Sequence, residues 1–392
     1  MTQQINLLSP DEQKTRLGKL RDEMKRAGAD AIMISDNANK YYTTGRVFAG
    51  FVYIPAEGMP IYFVRRPVKL EGDGIVYIRK PEEIPASLSL NVPATIGLEL
   101  GTLGYNAAMR LFKIFPGSKT IDATPMLQAA RAIKTPMEIE RIAESGIKQE
   151  RVYRRVPHLY REGMTDLELQ IEIERTSRLE GCLGQFRISG DSMELYMGNV
   201  LTGENADNPT PYDFAMGGAG IDPSLPVGAD GSIIRPTDSV MVDVNGNYTG
   251  YMTDMTRTFT PEKISDNAMH AHKCSIEICH TLQKMMCPGI EAKVLYEKAE
   301  EMAKEAGLHP YFMGHRQKAG FIGHGVGIEI NERPVIAPRS RDILAAGNVI
   351  ALEPKFVIPG TGAVGIENTY VVMADGPARC LTNAPEEIIS FE

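Results

Sequence analysis

The chain has 392 residues, which is too many for one ordinary hydrophobic core, so we expect two domains. An apolar fraction of 43%, a charged fraction of 23% and a net charge of −8 are typical of a soluble globular protein and argue against binding to nucleic acid or to a membrane. A signal-peptide pattern is not visible, apolar runs are too short to span a bilayer, and the five scattered cysteines favour reduced thiols in a cytoplasm.

The first part of the chain, residues 1–125, is predicted to be a compact α/β domain. A helix begins after Ser9 and ends before Gly28, because serine caps helix N-termini and glycine accepts the left-handed conformation at helix ends. Short apolar runs then alternate with turns and helical segments up to about residue 125. The strands predicted in this domain are residues 31–35, 51–55, 60–64, 75–78 and 95–98.

A change in composition towards Ala, Arg and Lys predicts a linker at residues 126–138 and a second domain over residues 139–392. Residues 183–236 are rich in Gly, Pro, Asn and Asp, which predicts a functional loop rather than part of a core. The fold class expected for the whole chain is therefore mixed, α/β (α+β). The helices predicted beyond the first domain are residues 136–161, 165–180, 264–286 and 290–306.

A predicted hairpin at residues 239–259 carries two acids among apolar and β-branched neighbours. Two β-type runs flank the turn-forming residues 245–247, with Asp243 on one arm and Asp254 on the other. A carboxylate in a buried strand is costly unless it is paired or binds a metal. The hairpin is therefore the first candidate for a functional site.

A second stretch of the chain repeats this pattern. The strands that end on Asp243 and Glu353 have similar apolar sequences. A second acid follows eleven residues later as Asp254 in the first unit, and fourteen residues later as Glu367 in the second, each in an acid-x-Thr pattern. Two such units predict a pseudo-symmetric sheet in which four carboxylates meet at the centre.

Between the two units lies His324, in the sequence Gly-His-Gly-Val-Gly, where the flanking glycines allow close approach to a crowded site. Four carboxylates and one imidazole suit two divalent ions such as Mn²⁺, Co²⁺, Fe²⁺ or Zn²⁺. Two dications also cancel the four negative charges. A pair of such ions can share a water and supply hydroxide near neutral pH.

Other interpretations of these residues stay open when each is taken singly. Asp254 could pair with Arg257, and His324 alone could be a buried core histidine. A zinc site on the helix at residues 264–286 is disfavoured, because its histidines and cysteines lack a Cys-x-x-Cys pair. Those residues are His270, His272, Cys274, Cys279 and His280. A basic group after Asn331 could attract a substrate carboxylate, although a solvated loop is favoured for it. Its members are Arg333, Arg339 and Arg341.

The five candidate ligands and their spacing resemble the pita-bread metallohydrolase family, which includes aminopeptidase P, prolidase, methionine aminopeptidase and creatinase. The resemblance implies a creatinase-like N-terminal domain over residues 1–125 and a pita-bread catalytic domain over residues 139–392. Its motifs are Asp243 and Asp254 eleven residues apart, Gly-His324-Gly-Val-Gly, Leu-Glu353-Pro and Ile-Glu367-Asn-Thr, with weaker similarity at residues 42–45 and 131–139.

The same resemblance implies a role for each ligand. Asp254 and Glu367 would bridge two metal ions, Asp243 would bind one of them, and His324 and Glu353 would bind the other. Glu353 would also carry the proton of the attacking water. Mn²⁺ and Co²⁺ are the favoured ions, and Zn²⁺ and Fe²⁺ are the alternatives.

The substrate side of the family pattern is only partly present. Pro226 and Asn331 stand where proline-specific members commonly have histidines, and Gly365 stands where they commonly have an arginine. Asn331 could donate a hydrogen bond to an oxyanion in place of one histidine. His315, nine residues before His324, is a second candidate for a catalytic or substrate contact.

The expected function is therefore that of a dimetal-dependent metallopeptidase of the Xaa-Pro aminopeptidase or dipeptidase type. A metal-bridging hydroxide would cleave an amide bond in a short peptide, with Tyr212 and Asp213 as candidate substrate contacts. The alternatives are a related hydrolase that acts on another small amide or C–N substrate, and a non-catalytic, metal-retaining binding module. The family resemblance also implies a homodimer.

Overall fold

Two compact units make up the chain. The computed structural model describes residues 3–88, 92–184, 186–190 and 196–392. Contacts between backbone positions divide the chain into the units Met1–Arg131 and Ala132–Glu392. In the described part of the chain, no helix is both long enough and apolar enough to cross a membrane. Helices and strands occur in both units, which confirms the predicted mixed fold class.

The first unit contains a six-stranded mixed sheet, as the alternation of strands and helices predicts. Its helices are α1 (Pro10–Ala27), α2 (Asn37–Thr44), α3 (Ile84–Ser87), α4 (Tyr105–Ile114) and α5 (Thr124–Ala132). Its strands are β1 (Ala31–Ile34), β2 (Ala49–Pro55), β3 (Ile61–Arg66), β4 (Ile75–Tyr77), β5 (Thr95–Leu98) and β6 (Lys119–Asp122), in the order β4-β3-β2-β1-β5-β6. The central strand β1 is fully buried, which its uninterrupted apolar sequence explains.

The stretch predicted to be a linker, residues 126–138, is mostly helical. One helix runs up to Ala132 and the next begins at Pro136. The Thr135 hydroxyl accepts a hydrogen bond from Glu138 N at 3.3 Å, and the Glu138 carboxylate accepts one from Thr135 N at 2.9 Å. This reciprocal cap, with proline in the first helical position, explains why a helix begins here.

The second unit contains the helices α6 (Pro136–Tyr153), α7 (Asp166–Leu179), α8 (Asp266–Met285) and α9 (Ala292–Glu305). Its first six strands are β7 (Gly198–Thr202), β8 (Val240–Val244), β9 (Gly246–Asn247), β10 (Met252–Thr253), β11 (Thr256–Thr260) and β12 (Gly323–Gly325). The remaining strands are β13 (Glu332–Ile336), β14 (Val349–Leu352), β15 (Lys355–Ile358), β16 (Gly362–Gly365), β17 (Asn368–Val371), β18 (Arg379–Cys380) and β19 (Ile389–Ser390).

These strands form two main sheets, one from each of the repeated sequence units. The first has the order β19-β11-β8-β7, and the second has the order β13-β12-β14-β17-β18. Helices α6 and α7 pack with the first sheet around a core that includes Tyr153 and Phe259. Helices α8 and α9 pack with the second half around a core that includes Leu282 and Phe356. An antiparallel bridge between Thr256 and Glu367 joins the two halves at the centre.

The predicted hairpin is present, but its tip lies further along the chain than expected. Strands β8 and β11 pair in antiparallel fashion, and the short pair β9 and β10 continues it. The turn falls at residues 248–251 rather than 245–247. Asn247 Oδ1 accepts a hydrogen bond from Gly250 N at 3.2 Å, and Gly250 has a φ of 85°, which glycine tolerates.

Two further expectations need correction. The helix predicted to reach residue 161 ends at Tyr153, and a 3₁₀ turn that contains Pro157 follows. The predicted loop at residues 183–236 contains the fully buried strand β7. Gly198 and Asn199 interrupt its apolar pattern, which is why the sequence does not predict this strand.

Candidate metal centre

The β8–β11 hairpin positions the first two acids. Asp243 lies within β8, and Asp254 lies in the short break between β10 and β11. The buried Tyr153 hydroxyl accepts a hydrogen bond from Val244 N at 2.9 Å and lies within hydrogen-bond distance of the Met255 carbonyl oxygen. Because each of these backbone atoms is adjacent to one of the acids, Tyr153 ties the two arms together next to the site.

The five-stranded sheet positions the other three candidate ligands. His324 lies in the middle of β12, Glu353 directly follows β14, and Glu367 directly precedes β17. Strands β14 and β17 are antiparallel neighbours, with Leu352 opposite Asn368. The two glutamates therefore lie at the same edge of this sheet.

The imidazole of His324 is oriented for metal binding. Its Nδ1 lies 3.1 Å from the Gly325 carbonyl oxygen, which can only accept a hydrogen bond, so Nδ1 carries the proton. Nε2 then faces the acids, 3.4 Å from Glu353 Oε1 and 3.7 Å from Asp254 Oδ2, where a metal ion can take the place of a proton on this nitrogen. A backbone carbonyl that fixes the tautomer in this way is a common outer partner of metal-binding histidines.

The two acid-x-Thr units bind each other's acids. Thr256 Oγ1 donates to Glu367 Oε2 at 2.8 Å. Thr369 Oγ1 donates to the Asp254 carbonyl oxygen at 2.8 Å and accepts from Asp254 N at 2.9 Å. The repeated sequence pattern thus has a structural meaning, because each threonine belongs to one half of the unit and supports the acid of the other.

The ligand atoms fall into two groups that share Glu367. Asp254, His324 and Glu367 each offer an atom within 4.8 Å of the others, and so do Asp243, Glu353 and Glu367. A shared Glu367 agrees with the bridging role that the family resemblance implies. The grouping differs from that resemblance in two ways, because it joins Glu353 to Asp243 and places Asp254, the other expected bridging ligand, in the first group only.

A cation that the sequence analysis missed lies in the second group. Lys355 Nζ donates to Asp243 Oδ2 at 2.8 Å, to Glu353 Oε2 at 2.8 Å and to Glu367 Oε2 at 3.1 Å. Its side chain is 0% exposed. The available signal was its position two residues after Glu353, since alternate residues of an extended chain point to the same side.

Burial and mutual repulsion shift the pKa values of the ligand carboxyls. Burial raises the pKa of Asp254 well above its usual range, and Glu367 and the other acids raise it further. Burial, with repulsion from Glu353, also raises the pKa of Glu367 to about 8. Burial alone would raise the pKa of Glu353 too, but Lys355 and His324 lower it to about 2. The cluster therefore lacks enough positive charge to keep all its carboxyls ionised.

The residues present fit a divalent ion. Glu367 Oε1 is buried and has no hydrogen-bond partner among the described residues, although a buried carboxylate oxygen normally has one. His324 Nε2 and Asp254 belong to the same ligand group. A nitrogen ligand with two carboxylates suits Mn²⁺, Co²⁺, Fe²⁺ and Zn²⁺, and a dication there would both satisfy the orphaned oxygen and offset the repulsion.

Four of the five candidate ligands line one cavity of about 410 Å³. They are Asp243, Asp254, His324 and Glu353. Tyr212 and Asp213 also line it, as expected for the loop before the first ligand. Much of the remaining wall is apolar and includes Phe186, Ile188, Phe214, Met216, Phe321 and Val335.

Comparison with known protein families agrees with this arrangement. Residues 140–374 match Metallopeptidase family M24, and residues 16–133 match the Creatinase/Prolidase N-terminal domain. The chain belongs to metallopeptidase family M24. The predicted pita-bread metallopeptidase family and its two-domain fold are thereby confirmed, and divalent metal ions are the cofactors that this family implies.

Relatives with similar sequences extend over nearly the whole chain. A Xaa-Pro dipeptidase of Pyrococcus furiosus is 26% identical over 383 residues, which cover 96% of this chain and 100% of that protein. An uncharacterised peptidase of Bacillus subtilis is 25% identical over 386 residues, which cover 95% and 99%. Among solved structures, a Xaa-Pro dipeptidase from Bacillus anthracis has a TM-score of 0.79 at 23% identity and covers 96% of this chain and 99% of its own, which supports the fold.

Pro226 and Gly365, where this M24 chain departs from the family pattern, do not line the cavity. The same holds for His315, which was expected to compensate for the missing groups. His315 is not among the lining residues, and its Nδ1 lies 2.9 Å from Asp207 Oδ2. The catalytic contact expected of His315 stays a prediction, and in this structure its ring contacts Asp207 rather than the cavity. Pro226 is also absent from the lining and uses its carbonyl to accept a hydrogen bond from Thr210. Gly365 is buried on β16, opposite Lys355.

Asn331 lines the cavity, but its amide is engaged by the backbone. Asn331 Oδ1 accepts from Ser189 N at 2.8 Å, and Asn331 Nδ2 donates to the Ser189 carbonyl oxygen at 2.6 Å. Ile330 N also donates to the Arg187 carbonyl oxygen at 2.8 Å. These contacts position residues 186–190 beside the cavity, and the second N–H of the Asn331 amide is not used by them, so the oxyanion contact expected of Asn331 stays a prediction.

Contacts in the structure bear on the alternative interpretations of single residues. Arg257 does not pair with Asp254, because its guanidinium donates to the Glu367 and Ala384 carbonyl oxygens and to Asn368 Oδ1. The histidines of α8 bind separate oxygens, for example His272 Nε2 at 2.8 Å from the Glu386 carbonyl oxygen, and belong to neither ligand group. Arg333, Arg339 and Arg341 are likewise absent from the cavity lining.

Proposed function

We propose that this chain is a metal-dependent peptidase of the Xaa-Pro dipeptidase or aminopeptidase type, which hydrolyses an amide bond in short peptides. The observation that carries the proposal is that three candidate acid ligands and the His324 imidazole line one cavity whose remaining walls are largely apolar. A volume of about 410 Å³ lies within the range of small-molecule sites, so a di- or tripeptide is the appropriate size of substrate.

Asp243, Asp254, His324, Glu353 and Glu367 are the proposed ligands. Divalent ions bound to them would polarise a substrate carbonyl and lower the pKa of a water molecule. Glu353 is the proposed proton carrier between the attacking water and the leaving nitrogen, because it lines the cavity and lies beside His324. The choice among Mn²⁺, Co²⁺, Zn²⁺ and Fe²⁺, a homodimeric assembly and a cytoplasmic location stay predictions.

The preference for proline rests on two kinds of support. The relatives and solved neighbours include proteins named Xaa-Pro dipeptidase. The cavity wall contributed by Phe186, Phe214 and Val335 offers an apolar surface that a pyrrolidine ring can contact without an unmet hydrogen bond.

A second candidate function is hydrolysis of another small amide or C–N substrate at the same centre. The observation that favours it is the shortage of side-chain hydrogen-bond donors at the three positions that depart from the proline-specific pattern. Pro226 and Gly365 offer no side-chain donor, and both hydrogen-bonding ends of Asn331 bind Ser189. Apart from the second N–H of the Asn331 amide, groups that would hold the carbonyl of a proline peptide must come from elsewhere in the cavity.

A panel of peptides tests the first candidate against the second. The protein is reconstituted with Mn²⁺ or Co²⁺, and hydrolysis of Xaa-Pro dipeptides, longer Xaa-Pro peptides and matched Xaa-Ala peptides is measured. Faster cleavage of the proline series supports the proposal. A protein that binds metal but cleaves only other amides supports the second candidate.

Asp254→Asn tests the site itself. Loss of one ligand is expected to lower kcat/KM by more than about 100-fold, because even outer partners of metal ligands contribute about 10–100-fold. Asp213→Asn, which changes a wall carboxylate outside both ligand groups, is the matched control and is expected to keep its bound metal. Full turnover by Asp254→Asn would show that the ligand assignment is wrong.

A further inference from the structure

Lys355 places a positive charge inside the ligand set. Its ammonium binds one carboxylate oxygen each of Asp243, Glu353 and Glu367, at 2.8–3.1 Å. These three acids are the members of the second ligand group. The ammonium therefore occupies the space between the oxygens that would bind a second metal ion.

An ammonium and a metal ion cannot share these three oxygens. Small divalent ions bind oxygen at about 2.0–2.2 Å, which would draw the carboxylates around the point where the nitrogen now lies. Two cations at that separation also repel each other strongly in a buried site. Binding of an ion to the second group thus requires Lys355 to withdraw its ammonium.

The first ligand group carries no such obstacle. Glu367 divides its two oxygens between the groups: Oε2 accepts from Lys355 and Thr256, whereas Oε1 has no hydrogen-bond partner among the described residues. His324 Nε2 lies on the same side, 3.7 Å from Asp254 Oδ2. An ion can therefore bind to Asp254, His324 and Glu367 while Lys355 stays in place.

The backbone of Lys355 is fixed, so withdrawal is a movement of its side chain. Lys355 begins β15 and pairs with Gly365 of β16. Its carbonyl oxygen also accepts from Met313 N at 2.9 Å. The four-carbon stem is flexible and can rotate, but rotation gives up three charge-assisted hydrogen bonds.

We propose that Lys355 is a built-in competitor for the second metal position. In the metal-free protein its ammonium occupies the second metal position, between Asp243, Glu353 and Glu367. The first position, at Asp254, His324 and Glu367, fills at low metal concentration. The second fills only when an ion displaces the ammonium. This inference rests on the proposed function in one respect, namely that the ligand set binds divalent metal.

Metal binding by Lys355→Met tests the proposal without any substrate. Mn²⁺ is titrated into the metal-free full-length protein, and the affinity of each step is measured by calorimetry and by equilibrium dialysis with metal analysis. Wild type is expected to bind two ions in separate steps. Lys355→Met is expected to tighten the second step by at least about tenfold, because the competing charge is gone, and to leave the first step within about threefold.

Lys134→Met is the matched control. Lys134 is another buried lysine in an ion pair, with its Nζ 3.0 Å from Glu332 Oε2, and neither residue belongs to a ligand group. Its replacement is expected to leave both metal affinities unchanged. A tightening of the second step in this variant as well would mean that loss of any buried lysine produces the effect, and would overturn the specific role of Lys355.

A double variant guards against misfolding of Lys355→Met. Asp243→Asn with Lys355→Met removes the ammonium together with one of its carboxylates, and it is expected to bind one ion at the affinity of the first step. Two equal sites in wild type, or an unchanged second step in Lys355→Met, would overturn the proposal even if the protein cleaves Xaa-Pro peptides. Ordered binding without such cleavage would overturn only the proposed function.

Discussion

At the scale of single residues, neutral hydrogen bonds fix the direction of three of the five proposed ligands, Asp254, His324 and Glu367. The Asn245 amide, turned so that its nitrogen faces the acceptors, donates to Asp254 Oδ1 at 2.8 Å. Thr256 supports Glu367, and the Gly325 carbonyl sets the tautomer of His324. Such partners orient ligands without adding charge, so the net negative charge that attracts a dication is kept.

Replacement of Thr256 by valine removes one of these partners at nearly constant volume. Thr256→Val is expected to weaken metal binding by about tenfold, because Glu367 Oε2 loses its only hydroxyl donor among the described residues. Calorimetric titration with Mn²⁺ measures the change. Thr258→Val, two residues along the same strand, is the control, since Thr258 Oγ1 binds the Gly365 carbonyl oxygen at 2.9 Å and no ligand. Equal losses in both variants would contradict the orienting role.

Some residues of the candidate site could be predicted from the sequence, and others could not. The four candidate acid ligands were identifiable because their sequence pattern repeats and because burial of a carboxylate is costly unless it is paired or binds a metal. His324 was identifiable from its position between the two repeated units and from its flanking glycines. Lys355 was missed, although it follows Glu353 by two residues. Asn331 was identified as a contact, yet the direction of its amide depends on Ser189, a residue 142 positions away that no local pattern connects to it.

At the scale of elements, the site depends on close packing of β7 against β8. Gly198 has a φ of 146°, and a Cβ atom added there would lie 2.0 Å from the Asp243 carbonyl oxygen. Only a residue without a side chain lets the two strands pair at the first ligand. The glycine that hides β7 from sequence prediction is therefore the residue that allows the strand to lie beside Asp243.

Gly198→Ala is expected to lower the free energy of unfolding by about 2–4 kcal/mol, because the strand must shift or strain. It is also expected to reduce metal binding, since Asp243 moves with its backbone. Urea unfolding and Mn²⁺ titration measure the two effects. Gly117→Ala, where an added Cβ meets no atom within 4 Å, is the control. A stable Gly198→Ala protein with wild-type metal affinity would rule out the packing argument.

Elements with strong local signals were predictable, and those defined by pairing were not. The helices α7, α8 and α9 agree with prediction to within about two residues because capping residues and apolar spacing are local features. The tip of the hairpin was misplaced because Asn245 and Gly246 look like a turn, whereas pairing with β10 keeps Gly246 extended. Tertiary pairing overrode the local preference there.

At the scale of the whole molecule, the buried His272, which lies outside the site, contributes to the pH dependence of stability. Burial lowers the pKa of His272 to about 4, and repulsion from Arg257 adds to this, against the effect of its hydrogen bond to Glu386. The Nδ1 atom of His272 has no hydrogen-bond partner among the described residues, so its protonation would bury an unmet donor.

His272→Gln is expected to flatten the acid side of the stability curve. Between about pH 4 and pH 6.5 the unfolded chain binds a proton at this residue and the folded chain does not, so stability from this group is fully present above pH 6.5 and is lost on acidification. The loss is up to about 3 kcal/mol in wild type, and glutamine removes it. Urea unfolding at several pH values measures the difference, and parallel curves for the two proteins would refute it.

The family and the fold of the whole chain could be predicted from the sequence, whereas the substrate could not. The family could be predicted because the spacing of the candidate ligands along the chain resembles the family pattern, and residues 140–374 match family M24. Substrate choice depends on the shape of a cavity whose wall combines residues from separate loops, such as Phe186 and Phe214. Their positions follow from the tertiary fold and leave no spacing pattern in the chain.

The sharing of one metal centre by two sheets also bears on synthesis of the protein. A nascent chain that has emerged as far as β11 carries only Asp243 and Asp254, two of the five proposed ligands. Glu367, whose Oε1 has no hydrogen-bond partner among the described residues, is the last of the five proposed ligands in chain order. The proposed metal centre is therefore complete only after translation has passed residue 367 and the two halves have come together.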